Sequence, residues 1–186
     1  MRSIFRYSGI IASIVLIAFG VGALYMGIDG RDRVRDELAR EQIVATPDST
    51  IPNQLVDTGA DAQAFAATIR KHTLESTDGQ TYAQMGRFLD DNGEPTNDQA
   101  AAAKDPETGQ PVENGLRNLW ITSTALTTAL NTAYFAESVA TFAIVMGIAM
   151  LLTGIGFLVL TIAPLREAAT VRTRRAATQA PAAPVA

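Results

Sequence analysis

Residues 114–163, NGLRNLWITSTALTTALNTAYFAESVATFAIVMGIAMLLTGIGFLVLTIA, read as one long helix that passes between two solvents. Residues 139–163 carry no charge, and the run FAIVMGIAMLL at 142–152 is apolar on every side, as a bilayer requires of a spanning helix. Before it the apolar residues keep to one stripe. Leu116, Leu119, Trp120, Ser123, Leu126, Leu130 and Tyr134 recur at three- and four-residue steps, with Asn118, Thr122, Thr128 and Asn131 elsewhere, so that face requires cover outside the membrane. No Gly or Pro interrupts residues 116–146, and Pro164 stands where the helix is expected to stop. At 1.5 Å per residue the helix would be about 75 Å long, more than twice a hydrocarbon core.

A second apolar stretch lies at the other end of the chain. Residues 7–28 are uncharged, follow Arg2 and Arg6, and would rise about 33 Å as a helix, enough to span. The run is about twice the length of a signal-peptide core and lacks an A-x-A site, so it reads as a retained span. Tyr7 and Tyr25 suit the interfaces. Arg166, Arg172, Arg174 and Arg175 follow the second span and predict a cytoplasmic C-terminus, hence a cytoplasmic N-terminus as well. Arg31, Arg33, Arg35 and Arg40 flank the first span on the other side, interleaved with Asp29, Asp32, Asp36, Glu37 and Glu41.

The 47% hydrophobic content of the 186 residues is therefore concentrated in two blocks. Between them, residues 29–137 hold 18 acidic side chains against 9 basic ones, a balance that argues against nucleic acid. There is no cysteine, which excludes disulfides, thiolate metal sites and lipidated cysteine.

Residues 29–43 continue helical, with Val34 and Leu38 as a thin apolar stripe that suits the wet half of the long helix. The alternative is a solvated, charged linker. Thr46-Pro47 and Ile51-Pro52 predict an extended connection to Gly59, and a further helix starts near Asp61, capped by Asp57, Thr58 or Asp61. Thr81 and Gln84 have capping-box spacing for a short helix ending near Phe88. Residues 90–113 are polar and rich in turn dipeptides, which reads as a mobile loop with one helical turn at 100–103. From Ala168 the tail is low in complexity and reads as disordered.

The expected fold is an all-α membrane protein: a two-helix transmembrane hairpin (7–28 and 138–163) extended into an extracytoplasmic helical stalk with short capping helices. Residues 1–6 and 164–186 would be cytoplasmic, and 29–137 extracytoplasmic, at the plasma membrane.

Candidate chemistry is sparse. His72 is the one histidine, whereas a non-haem iron site takes two and hydrolytic zinc sites generally two or three, so no metal and no cofactor are expected. Asp90-Asp91-Asn92-Gly93-Glu94 would put Phe88 at the first ligand position of a calcium loop, and it reads as a turn. There is no nucleophile elbow or phosphate-binding glycine loop. Ala23 with Gly27, and Ala143 with Gly147, have the small-xxx-small spacing of close helix contacts, to the other span or to another protein. Val34, Leu38, Leu119, Trp120, Leu126, Leu130 and Tyr134 are the packing candidates outside the membrane. Phe65, Ile69, His72 and Tyr82, with Trp120, would line any pocket.

HTLESTDGQTYA at 72–83, Leu119-Trp120, TALTTALNTAY at 124–134 and GIGF at 154–157 resemble a family of small two-span actinobacterial membrane proteins, over most of residues 5–162. That family often carries the label aromatic ring-opening dioxygenase, at odds with a single histidine. The resemblance implies a plasma-membrane protein of unknown function and no catalytic residues. Taken together, these features suggest a non-catalytic accessory or scaffolding subunit, with the bilayer and an integral-membrane protein or a second copy as partners. An extracytoplasmic binding or sensing module anchored by two spans is the alternative.

Overall fold

The structure, a computed structural model, describes the backbone of residues 2–178 and the side chains of residues 7–162. The chain is mostly helical. In order come α1 (Arg2–Arg40), α2 (Gly59–Ser76), β1 (Phe88–Leu89), β2 (Pro95–Thr96) and α3 (Gly115–Thr178). Two of the helices are long and apolar enough to cross a membrane, within Tyr7–Arg40 and Gly115–Ile162. The chain divides into two compact units, Met1–Asp29 with Ala140–Ala186, and Gly30–Val139.

The first unit pairs α1 and α3 antiparallel, and its contacts fall at small residues. Ser13, Gly20 and Gly27 are buried on α1, and Ala140, Gly147 and Gly154 on α3, each set at a strict seven-residue period. A seven-residue repeat keeps one seam facing its partner along two supercoiled helices. At this seam the backbones nearly touch. A Cβ on Gly27 would stand 2.7 Å from the Ala140 carbonyl oxygen and 2.9 Å from the Ile144 nitrogen, and one on Gly20 would stand 2.9 Å from the Gly147 oxygen. Large side chains point the other way: Phe19, Phe142, Leu152 and Leu160 are each about two-thirds exposed.

In α3 the helix runs through Pro164 to Thr178, beyond its expected end. Ala, Arg, Leu and Glu dominate residues 165–178 and favour resumption of the helix after the proline's missing N–H. Residues 179–186, the rest of the tail expected to be disordered, lie outside the described residues.

The second unit is built on three helices, α2 packing with the inner parts of α1 and α3. Leu38 of α1, Ala62 and Ala66 of α2 and Leu130 of α3 share one core with Ala45 and Val56, and Val34, Phe65, Ile69 and Ala133 pack against it. Helix α2 begins at a complete capping box: Thr58 Oγ1 accepts from the Asp61 N–H, and the Asp61 carboxylate accepts from the Thr58 N–H. The stretch expected to be an extended connector folds back on itself. Ala45 N–H donates to Gln54 O and Val56 N–H to Ile43 O, each at 2.9 Å, which buries Ala45 and Val56 in the core. Asn53, at φ 58°, makes the tight return, a conformation asparagine tolerates better than most residues.

Two further expectations are corrected. The Thr81–Gln84 bonds form, but they close a turn and not a helix, since Gly86 must pass directly against the backbone of Pro95 and Thr96. Residues 90–113 are paired instead of free, with no helical turn at 100–103. β1 and β2 pair antiparallel, Ala102 bridges Asp90 and Lys104 bridges Pro111. Asp90 and Asp105 organise the turns by accepting backbone N–H bonds from Asn92, Glu94, Glu107 and Thr108 at 2.8–2.9 Å, which holds both carboxyls below their ordinary range. Turn-rich composition here encodes short strands between Asx turns. The unit thus carries a small β element within the mostly helical fold.

Candidate functional site

The second unit carries an open apolar groove of about 740 Å³ between its three helices. Its floor is α3, where Ala129, Ala133 and Ala136 fall on one side at steps of four and three and leave room above the backbone. One wall is Val34 and Leu38 of α1 with Ile43, and the other is Phe65 and Ile69 of α2, with Leu126 at the end. Arg33 and Glu37, one helical turn apart on α1, and Glu41, just past its end, form the charged rim. The volume lies within the range of about 300–1,000 Å³ of small-molecule sites, and the walls are of the apolar kind that such sites use.

A charged clasp fixes the walls. The Glu137 carboxylate on α3 accepts from Arg35 Nε at 2.7 Å and Arg31 Nε at 3.2 Å, and its second oxygen accepts from the Gly59 N–H. Gly59 is the first residue of α2, so a carboxylate sits at the positive end of that helix while two α1 arginines hold it from the other side. Burial pushes the Glu137 carboxyl up, but the Gly59 N–H and the two guanidinium groups outweigh it and hold the group below its ordinary value. One side chain thus ties α1, α2 and α3 together beside the groove. Only glycine fits at position 59, where a Cβ would stand 2.9 Å from the Tyr134 Cα.

The sequence-predicted residues separate into several places. Val34, Leu38, Phe65, Ile69, Leu126 and Leu130 meet around the groove. His72 points elsewhere, with Nε2 2.7 Å from the Asp48 carboxylate. Together with Lys71, this imidazole holds the Asp48 carboxyl well below the usual range and pins the folded-back connector to α2. Tyr82 lies under the Arg117 guanidinium, 4.1 Å from the ring centre, in a separate polar cleft of about 420 Å³ with Arg87, Glu113 and Asn114. Trp120 is buried and lines neither. Its Nε1 donates to Gln80 O at 3.0 Å, and the Arg70 guanidinium lies 5.5 Å from its ring centre. Leu119 and Tyr134 are partly exposed and outside the groove. Gly27 and Gly147 lie in the first unit's seam, with Ala23 and Ala143 half-buried beside it.

Ile43 and the three alanines did not stand out in the sequence. Alanine at three- and four-residue steps was visible, but a small residue signals a groove only when larger residues rise on both sides of it. Among the described residues no group of three or more histidine, aspartate or glutamate side chains converges in a metal-holding arrangement. Comparisons with protein-family models, with curated proteins and with solved structures find no match to this chain.

Proposed function

We propose that this chain is a two-span membrane protein whose extramembrane unit works as a non-catalytic binding module, taking an apolar ligand or an apolar segment of a partner into the groove on α1, α2 and α3. The observation that carries the reading is the groove itself, a preformed aliphatic concavity held open by the Glu137 clasp. Membrane insertion is supported by the first unit, where small residues face inward and large apolar residues face outward, the reverse of a helix pair stabilised in water. The proposed orientation puts both termini in the cytoplasm and Gly30–Val139 outside, following the arginines after the second span.

The test uses the absence of native cysteine. A Leu126→Cys chain in lipid nanodiscs, carrying a solvatochromic fluorophore, is titrated with a short-chain lysophospholipid and with an amphipathic peptide. The reading expects a saturable blue shift with at least one of them, abolished by Ala133→Trp, which fills the groove. A linear response, or one unchanged by Ala133→Trp, rejects it.

The accessory-subunit reading gains support from the bare part of the α3 stripe, since Leu116, Leu119 and Leu126 remain exposed. Isolation in mild detergent as a stoichiometric complex with another membrane protein would favour it over the binding module.

A further inference from the structure

We infer that the occupant of the groove is the acyl chain of a membrane lipid. This rests on the groove-binding reading and names its ligand class.

The shape is the first reason. From Leu126 to Ala136 the groove follows α3 for about 15 Å at 1.5 Å per residue. Its alanine floor makes it a trough along the helix axis and not a set of separate pockets. The trough has about 740 Å³. A single hydrocarbon chain is linear and thin enough to lie within it.

Polarity is the second. A protein partner of ordinary kind brings about one hydrogen bond per 100–200 Å² of interface. Along this trough Thr132 Oγ1 already donates to Thr128 O at 2.7 Å, and the Glu37 carboxylate already accepts from Arg40 at 2.9 and 3.1 Å. Arg33 and Glu41 stand with Glu37 at the charged rim, and the rest of the lining is Ala, Val, Leu, Ile and Phe. An acyl chain asks for no hydrogen bond and leaves none of these groups stranded.

Continuity along the chain is the third. One wall and the floor are carried by α1 and α3, the two helices that also carry the apolar stretches read as spans. Arg33 comes five residues after Ile28, and Ala136 two residues before Ser138, so the lining adjoins both stretches in the sequence. Lipid is the ligand always present at a span's end.

The full chain is reconstituted in phosphatidylcholine nanodiscs containing a small fraction of lipid with a photoactivatable diazirine near the end of one acyl chain. After irradiation, adducts are mapped by mass spectrometry. The inference expects adducts on peptides holding Phe65, Ile69 and Leu130, besides those on the spans. Ala133→Trp should cut the groove adducts at least fivefold while span adducts stay constant, an internal control for insertion, and while the hydrogen exchange of α2 stays as in the native chain, the control for folding of the second unit. Leu126→Glu should reduce them as well, and it is safe for folding because Leu126 is half-exposed. Labelling confined to the spans, or groove adducts that survive both substitutions, overturns the inference. If the position-126 fluorophore still responds saturably to the peptide, a groove without lipid adducts remains a binding site and only the lipid assignment fails. If neither signal appears, both fail. A protein found crosslinked across the groove in place of lipid also overturns the assignment.

Discussion

Glu137 shows how much one side chain decides here. It lies beside the start of an apolar run, where an isolated carboxylate would be costly, and two arginines and a helix N-terminus compensate it. Glu137→Gln keeps the shape and removes the charge. The arginines are about 40% exposed, so the loss should be about 1–2 kcal/mol, below that of a fully buried pair. It should appear as faster hydrogen exchange at the first amides of α2. The pH dependence has a definite sign. The folded-state carboxyl is held below its ordinary 4.5, so its contribution is complete above that pH and is lost as pH falls through the depressed value. Between pH 7 and pH 3 the thermal midpoint should fall less in Glu137→Gln than in the native chain.

At the scale of elements, the pairing of α1 with α3 in the first unit depends on glycine for close approach. Gly27→Leu drives a side chain into the Ala140 carbonyl and the Ile144 backbone and should cost about 1–3 kcal/mol, read as a lower unfolding midpoint in detergent. Gly22→Leu, with nothing within 4 Å of its Cβ position, should leave the midpoint nearly unchanged. Equal effects would mean that backbone flexibility, and not contact, is the reason for glycine at 27. The small-xxx-small spacing of Ala23 with Gly27 and Ala143 with Gly147 pointed at the right helix faces but at the wrong repeat. The period is seven because a seam between two long helices must hold its direction over several turns, whereas four-residue spacing describes a short crossing. In the second unit, α2 was legible from its caps, and the β element was not. Two-residue strands carry no alternation of their own; Asp90 closes the turn between β1 and β2, and Asp105 the later turn between the bridged Lys104 and Pro111.

For the whole molecule, the proposed topology makes a simple prediction. In intact cells a membrane-impermeant maleimide should label Asn92→Cys at once, and Thr173→Cys only after permeabilisation. The reverse pattern would invert the orientation and place the groove in the cytoplasm. Without cysteine in the native chain, each single substitution reports alone. Either orientation leaves the groove's chemistry as it is, because its lining is set within Gly30–Val139.

The sequence alone determined the helices and the two apolar stretches, because uncharged runs, helical periodicity and capping residues act through local physics that a linear pattern records. It also brought Val34, Leu38, Phe65, Ile69, Leu126 and Leu130 forward as candidates, since apolar residues at helical spacing must be covered. Tertiary structure alone decided that these six share a groove, that His72 and Tyr82 lie outside it, and that Trp120 belongs to the core. A cavity is defined by what is missing between elements far apart in the chain. The small side chains of Ala129, Ala133 and Ala136 become a floor only when α1 and α2 stand on either side, held there by a carboxylate 78 residues from the amide it accepts.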